Sequence, residues 1–255
     1  DKPLDEWYGI STDAVDGRVL SVNFGYNGIA GDAASCINAL EPLSKLTSLG
    51  LELNGLTGKI PETIGEFKYL ECLRLDFNNL SGEIPVSMNK LINLKQLLLA
   101  YNNLSGDISC FDSFIHNLEI LDLRFNNFTG KLPEFGNNMF QFTVSNNLLT
   151  GSIPESHVKA LDENRKNPGG GYNTKYGCWY EIYGNNLTGK VPEKMLNHEN
   201  WHVHWYNVVR QNEGYGFDEV DLPAPKNTVK CYDGTFLNLD EVYAKNKYTL
   251  VFRWN

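Results

Sequence analysis

Hydrophobic positions along the chain recur in one uneven rhythm. Leu73 and Leu75 alternate with Arg74 and Asp76, and Leu80 and Ile84 follow at wider intervals. Alternation with period two predicts a short strand with one face buried and the other wet. The later apolar positions predict a second core layer after a turn. Aligned on one asparagine, the copies read L-x-L-x-x-N-x-L-x-G-x-I-P. The asparagines are Asn27, Asn54, Asn78, Asn102, Asn126, Asn147 and Asn185, spaced by 27, 24, 24, 24, 21 and 38 residues. A glycine follows each four residues later, from Gly31 and Gly58 to Gly151 and Gly189. The asparagine falls where the strand ends, and its short amide can bond backbone groups left without strand partners. Stacked copies then form an asparagine ladder. Gly82 permits a tight bend, and Pro85 fits where no backbone donor is needed. One such unit cannot bury its own apolar face, so the units must stack.

Repeats of this length and phrase resemble the plant-type leucine-rich-repeat class, over residues 19–192 and about seven copies. The resemblance implies an α/β solenoid: a right-handed superhelix with a parallel β-strand face on its concave side. "EWYGIST" followed by "GRVLSVNF" (Glu6–Phe24) is similar to the N-terminal cap of that class. The plant cap carries paired cysteines, and Trp7, Tyr8 and Gly9 have none beside them. In this the chain resembles bacterial cell-envelope or secreted proteins with these repeats. Their cap has a helical segment ahead of the tryptophan, so residues 1–18 are expected to be a partial cap.

Three stretches break the rhythm. Extra residues in "DAASCINALEPLSKLTS" distort the first interval. The fifth interval is short, with Phe142 and Val144 in the leucine positions, and the last holds an insertion with a breaker at Asn167–Gly171. Beyond Pro192 the phrase fails. Trp201, Trp205, Val208 and Val209 have helical spacing, which predicts a helical cap over residues 193–221. His198 and His202 lie four apart on it, but no further ligand pattern completes a metal site. Residues 222–255 read as a β-type appendage: "APKNTVKCYDGTFLNLDEV" is a strand, an Asp-Gly turn and a second strand, and "YTLVFRW" a buried strand. This order resembles the start of thioredoxin-like oxidoreductases of the cell envelope. That family's Cys-x-x-Cys is not in these 255 residues, and Cys231 lies on the wrong strand for it.

Composition narrows the function classes. A net charge of −9 disfavours generic binding to nucleic acid. No run of 18 apolar residues is long enough to span a bilayer. The five cysteines are scattered and their number is odd, so they read as small buried residues or free thiols. No nucleophile–base set, phosphate loop or metal motif is present, so the chain is read as non-enzymatic, without metal or cofactor. Glycosylation sequons at Asn79, Asn103, Asn127 and Asn186 fall out of the repeat phrase and carry no inference.

The informative surface is the wet strand face. Immediately before the ladder stand Tyr26, Leu53, Phe77, Tyr101 and Phe125, then Asn146 and Gly184. Two positions before it come Glu52, Asp76, Ala100, Arg124, Ser145 and Tyr183, and four before it Gly50, Arg74, Leu98, Asp122, Thr143 and Glu181. Aromatics flanked by arginine and aspartate have the composition of a binding hot spot. The same aromatics could instead stack sideways and serve only stability. The candidate site is Tyr26, Glu52, Arg74, Asp76, Phe77, Tyr101, Asp122, Arg124, Phe125 and Tyr183. The expectation is an extracytoplasmic module (secreted, periplasmic or anchored at the cell surface) that recognises a protein or peptide. Two alternatives stay open: a docking module of a longer thioredoxin-like oxidoreductase, and a glycan-binding protein.

Overall fold

A computed structural model describes residues 3, 6–111, 114–161, 179–198, 211–217, 228–230 and 236–238. The chain forms two compact units, Asp1–Asp218 and Glu219–Asn255. In the first, an eight-stranded sheet runs in the order Ile10–Thr12, Val19–Asn23, Ser48–Gly50, Cys72–Arg74, Gln96–Leu98, Ile120–Asp122, Gln141–Thr143, Trp179–Glu181. The first pair is antiparallel and every later pair parallel. A second, five-stranded parallel sheet is built from the stretches after the asparagines, including Gly55–Gly58, Asn79–Glu83 and Asn103–Asp107. Most copies close through a short turn of helix, such as Glu62–Glu66 or Val86–Lys90, whereas the short stretch between Asn127–Thr129 and Gln141–Thr143 has none.

The buried half of the alternation is as read from the chain, whereas the opposite face is drier than the pattern predicts, with Arg74 half-buried and Asp76 buried. In the third copy Leu70, Leu73, Leu75 and Leu80 are fully buried, and Ile84 is nearly so. The equivalents Leu94, Leu97, Leu99, Leu104 and Ile108 lie one layer on. The core is a column of such layers, each covered only by its neighbours.

The ladder supplies the polar half of the design. The Asn102 side chain donates from Nδ2 to the carbonyls of Leu75 (3.0 Å) and Leu99 (3.1 Å), and its Oδ1 accepts from the Leu80 amide at 2.9 Å. One amide thus closes its own turn and ties it to the preceding copy. Asn78, Asn126, Asn147 and Asn185 repeat the arrangement. Asn54 binds the Phe24 and Leu51 carbonyls and accepts from Ile29. Asn27 is exposed and reaches only the Gly25 carbonyl, so it heads the column rather than acting as a rung. At the other end the Gln211 Oε1 accepts from the Leu187 amide at 3.4 Å, which puts a glutamine in the place of an eighth asparagine.

Departures from the rhythm have local causes. The long first interval forms an α-helix, Ala33–Ala39, whose N-cap Asp32 accepts from the amide and hydroxyl of Ser35. In the short interval Phe142 fills a leucine place and packs on Phe135 at 4.8 Å between centroids. Against them lies His157, fully buried. Its Nε2 is 2.8 Å from the Pro133 carbonyl, which can only accept, so Nε2 carries the proton and Nδ1 accepts from the Tyr180 hydroxyl at 2.9 Å. Of the stretch expected to cap the solenoid, Glu193–Leu196 is one helical turn on the last copy and Gly216–Phe217 is a strand paired with Asn186–Gly189. Trp201, Trp205, His202, His204 and most of the insertion lie outside the described residues. In the second unit Thr228–Lys230 and Phe236–Asn238 pair antiparallel, the arrangement expected around the Asp-Gly turn.

Two predictions follow from the packing. Asn102→Ala strands the Leu80 amide and the carbonyls it shared inside the core, at roughly 1–3 kcal/mol per buried orphan. Urea unfolding should therefore show a loss of at least about 3 kcal/mol. Burial holds the His157 imidazole down to about 4, whereas the unfolded chain takes up its proton near the ordinary value. The stability it contributes is complete above about pH 6.5 and is lost as pH falls toward 4. Between pH 7.5 and 5 wild type should lose about 2 kcal/mol that His157→Gln, neutral throughout, does not lose, whatever its stability at pH 7.5.

Candidate functional site

The solvent face of the eight-stranded sheet is ordered by register. Gly50 pairs with Arg74, Arg74 with Leu98, Leu98 with Asp122, Asp122 with Thr143 and Thr143 with Glu181, so these side chains form one row. Beside it runs the row of Glu52, Asp76, Ala100, Arg124, Ser145 and Tyr183. Sheet-like bonding continues through these copies: the Leu53 amide donates to Asp76, Phe77 to Ala100 and Tyr101 to Arg124, at 2.8–2.9 Å.

The aromatic column stands at the end of the strands, in an unusual backbone. Tyr26, Leu53, Phe77, Tyr101, Phe125 and Asn146 all have φ between 54° and 62°, the left-handed region, and the seventh copy uses Gly184 there. This turn lets each following asparagine point back under its own strand. A large side chain with positive φ is strained by about 1–2 kcal/mol. Part of the offset is visible: Phe77 stacks on Tyr101 with centroids 4.3 Å apart, and Tyr101 on Phe125 at 4.4 Å. The sideways stacking left open by the sequence is therefore real for three rings. Their inner faces are closed, and what solvent meets is mainly their edges, at 38–42% exposure. Tyr26, 81% exposed, stands apart at the N-terminal end.

The charged residues form two assemblies. Arg124 grips Asp122 with two bonds, Nε to Oδ1 at 2.9 Å and Nη2 to Oδ2 at 2.8 Å, and reaches Glu181 from Nη1 at 3.4 Å. A bidentate, half-buried pair of this kind holds its geometry. Trp179 donates from Nε1 to Glu181 at 2.7 Å and lies 5.9 Å from the Arg124 guanidinium. Trp179 and Glu181 belong with the site; aligning the positions six before the ladder (Cys72, Gln96, Ile120, Gln141, Trp179) would have brought out the tryptophan. The second assembly is looser. Arg74 pairs with Glu52 at 3.2 Å. Glu52 lies over Gly25 and Gly50, where an added Cβ would come within 2.6 Å and 2.9 Å of its carboxyl group, so two glycines make room for one carboxylate. Glu52 Oε2, Arg74 Nε and Asp76 Oδ1 are buried with no hydrogen-bond partner. Burial pushes the Asp76 carboxyl up to about 6 against the opposing pull of Arg74. Tyr183 is half-buried at the far end of the row.

The comparisons bear on the fold. A family model described as Leucine Rich Repeat matches residues 69–91 and 117–139. The fold is a leucine-rich-repeat solenoid. No curated protein sequence matches the chain. Among solved structures, a pollen receptor kinase 3 is similar at 29% identity and a TM-score of 0.55, covering 65% of this chain and 78% of that one. The plant peptide hormone receptor RGFR1, solved in complex with RGF2, is 27% identical with a TM-score of 0.51 over 63% of this chain. This chain spans 24% of that receptor's length. A plant ice-binding protein, 20% identical with a TM-score of 0.55, shares the fold alone. Among the described residues no helix is long and apolar enough to cross a membrane.

The column also makes a test of its own strain. Tyr101→Ala removes two ring stacks, worth about 0.5–1.5 kcal/mol each, and keeps a side chain at positive φ. Tyr101→Gly loses the same stacks but relieves the backbone. Glycine should therefore be the milder replacement by about 1 kcal/mol in urea unfolding, the reverse of its usual rank against alanine.

Proposed function

We propose that the solenoid is a non-catalytic module that recognises a protein or peptide on the solvent face of its eight-stranded sheet, outside the cytoplasm. The observation that carries this reading is the state of that face. It concentrates charged side chains held in fixed geometry, three buried polar atoms without partners, and a ridge of half-exposed aromatics along one border. Buried polar groups are normally satisfied, and a cluster of exceptions needs an explanation. A partner that shifts these side chains as it docks would provide the missing bonds. The peptide-hormone receptor among the similar structures supports this choice of partner class.

Glycan recognition through the aromatic column fits less well. Stacking on a sugar uses open ring faces, and the faces between Phe77, Tyr101 and Phe125 are occupied by one another. On one flank a surface hollow of about 720 Å³ by Asp107, His116, Lys131 and Glu134 is shallow and mixed in charge.

The test is selection of random displayed 12-residue peptides on the full chain. Leu98→Arg places a bulky charge in the middle of the face, where Leu98 is half-buried. It should weaken the selected peptides at least ~10-fold, equivalent to about 1.4 kcal/mol. Val86→Arg, at a site 74% exposed outside the face, should leave them unchanged. Failure to select any peptide, or binding indifferent to Leu98→Arg, sinks the reading.

A further inference from the structure

We propose that Asp76 anchors a subsite on this face that accepts a cationic side chain, lysine or arginine, from the bound peptide. The inference deepens the peptide-recognition reading and rests on it. It begins from charge balance. The face carries the carboxylates Glu52, Asp76, Asp122 and Glu181 against the guanidiniums Arg74 and Arg124. Three of the four carboxylates are matched: Glu52 by Arg74 at 3.2 Å, Asp122 by Arg124 at 2.8 Å, and Glu181 by Arg124 at 3.4 Å with Trp179 at 2.7 Å. Asp76 is the fourth. It is only 7% exposed, and its Oδ1 is buried with no partner.

The surroundings say what would satisfy it. Arg74 is the cation nearest in kind, but its guanidinium is engaged with Glu52, and its Nε is itself an orphan donor. Glu52 and Asp122 add negative potential at Asp76, and the Cys72 thiol in the same field is pushed up by burial and so is neutral. Arg124 stands behind Asp122 and is committed to it by two bonds. An incoming cation therefore meets one unmatched carboxylate with two more acids close by. Leu98, half-buried, occupies the next copy of the row that holds Arg74, an apolar surface on which the methylenes of a lysine or arginine can lie while the charged head reaches the acid. An anionic side chain would face the excess of acid instead, so the observations favour a basic ligand group. Asp76 holds its proton up to about pH 6, so this attraction should fade as pH falls through that value.

The experiment follows the Asp76 carboxyl by carbon NMR in the full chain during pH titration at fixed ionic strength. The probes are N-acetyl-arginine amide and its neutral isostere N-acetyl-citrulline amide. The arginine probe should lower the Asp76 titration point, by about one pH unit near saturation, a tenfold shift in its ionisation. Citrulline should leave it in place. Equal effects of the two probes, or none, overturn the subsite. Peptides selected on the wild-type chain should be enriched in lysine or arginine, and selection on Asp76→Asn should lose that enrichment. Selected peptides without a basic preference, together with a silent NMR titration, would remove the subsite and leave peptide recognition standing. A response to the arginine probe with no peptide selected would do the opposite.

Discussion

The structure depends on one side-chain amide per copy. A parallel strand of three residues has too few ladder bonds to end cleanly, and the chain must turn at once to bring its second apolar pair over the same core. Asparagine resolves this because one group both donates to the strand carbonyls and accepts from the amide of the previous turn. Asp cannot donate, and Gln places its amide one carbon further out. Gln211 shows the consequence at the end of the column: it reaches the Leu187 amide, but at 3.4 Å rather than the 2.9–3.0 Å of the asparagine rungs within the stack. The core is built of leucines that any neighbouring layer could bury. The ladder sets the register in which they meet.

That requirement fixes the surface as well as the core. To turn the asparagine inward, the residue before it takes positive φ, and in five copies this residue is large: Tyr26, Leu53, Phe77, Tyr101 and Phe125. Glycine would cost nothing there and is used in the seventh copy at Gly184. Large side chains at such a corner are held in one direction, one above another, and three of them become a stack. The same rings thus oppose the strain of the turn and leave a rigid ridge along the strand face. Stability and presentation of a surface are served by one device, so a substitution in the column acts on both.

Much of this was legible before the fold was seen. The alternation at Leu73 and Leu75, the spacing of the asparagines and the glycine four residues on specify a stacked strand face, and the rows by register are those obtained by counting back from each asparagine. The counting could not reveal backbone sign: nothing in the letters before the ladder says that φ is positive, except glycine at one copy in seven. It also could not show which charges meet. Arg124 and Asp122 are two residues apart on one strand and point the same way, whereas Glu181 arrives from 57 residues later, across the insertion. His157 was invisible for a different reason. Its place depends on the short interval drawing Phe135, Phe142 and Tyr180 together, and no local pattern marks a histidine that packs like an apolar residue with both nitrogens bonded.

The two charged assemblies show how a solenoid can hold acids on a nearly buried face. At Arg124 the cation bonds Asp122 of its own copy in bidentate fashion and reaches Glu181 two copies on, and the assembly is closed. Around Arg74 the same residue types give an open result, because Glu52 is drawn away over Gly25 and Gly50 and takes the guanidinium with it. A side chain larger than glycine at position 25 or 50 would push Glu52 out toward solvent and let Arg74 turn back to Asp76. The two glycines leave room for the Glu52 carboxyl where it meets Arg74.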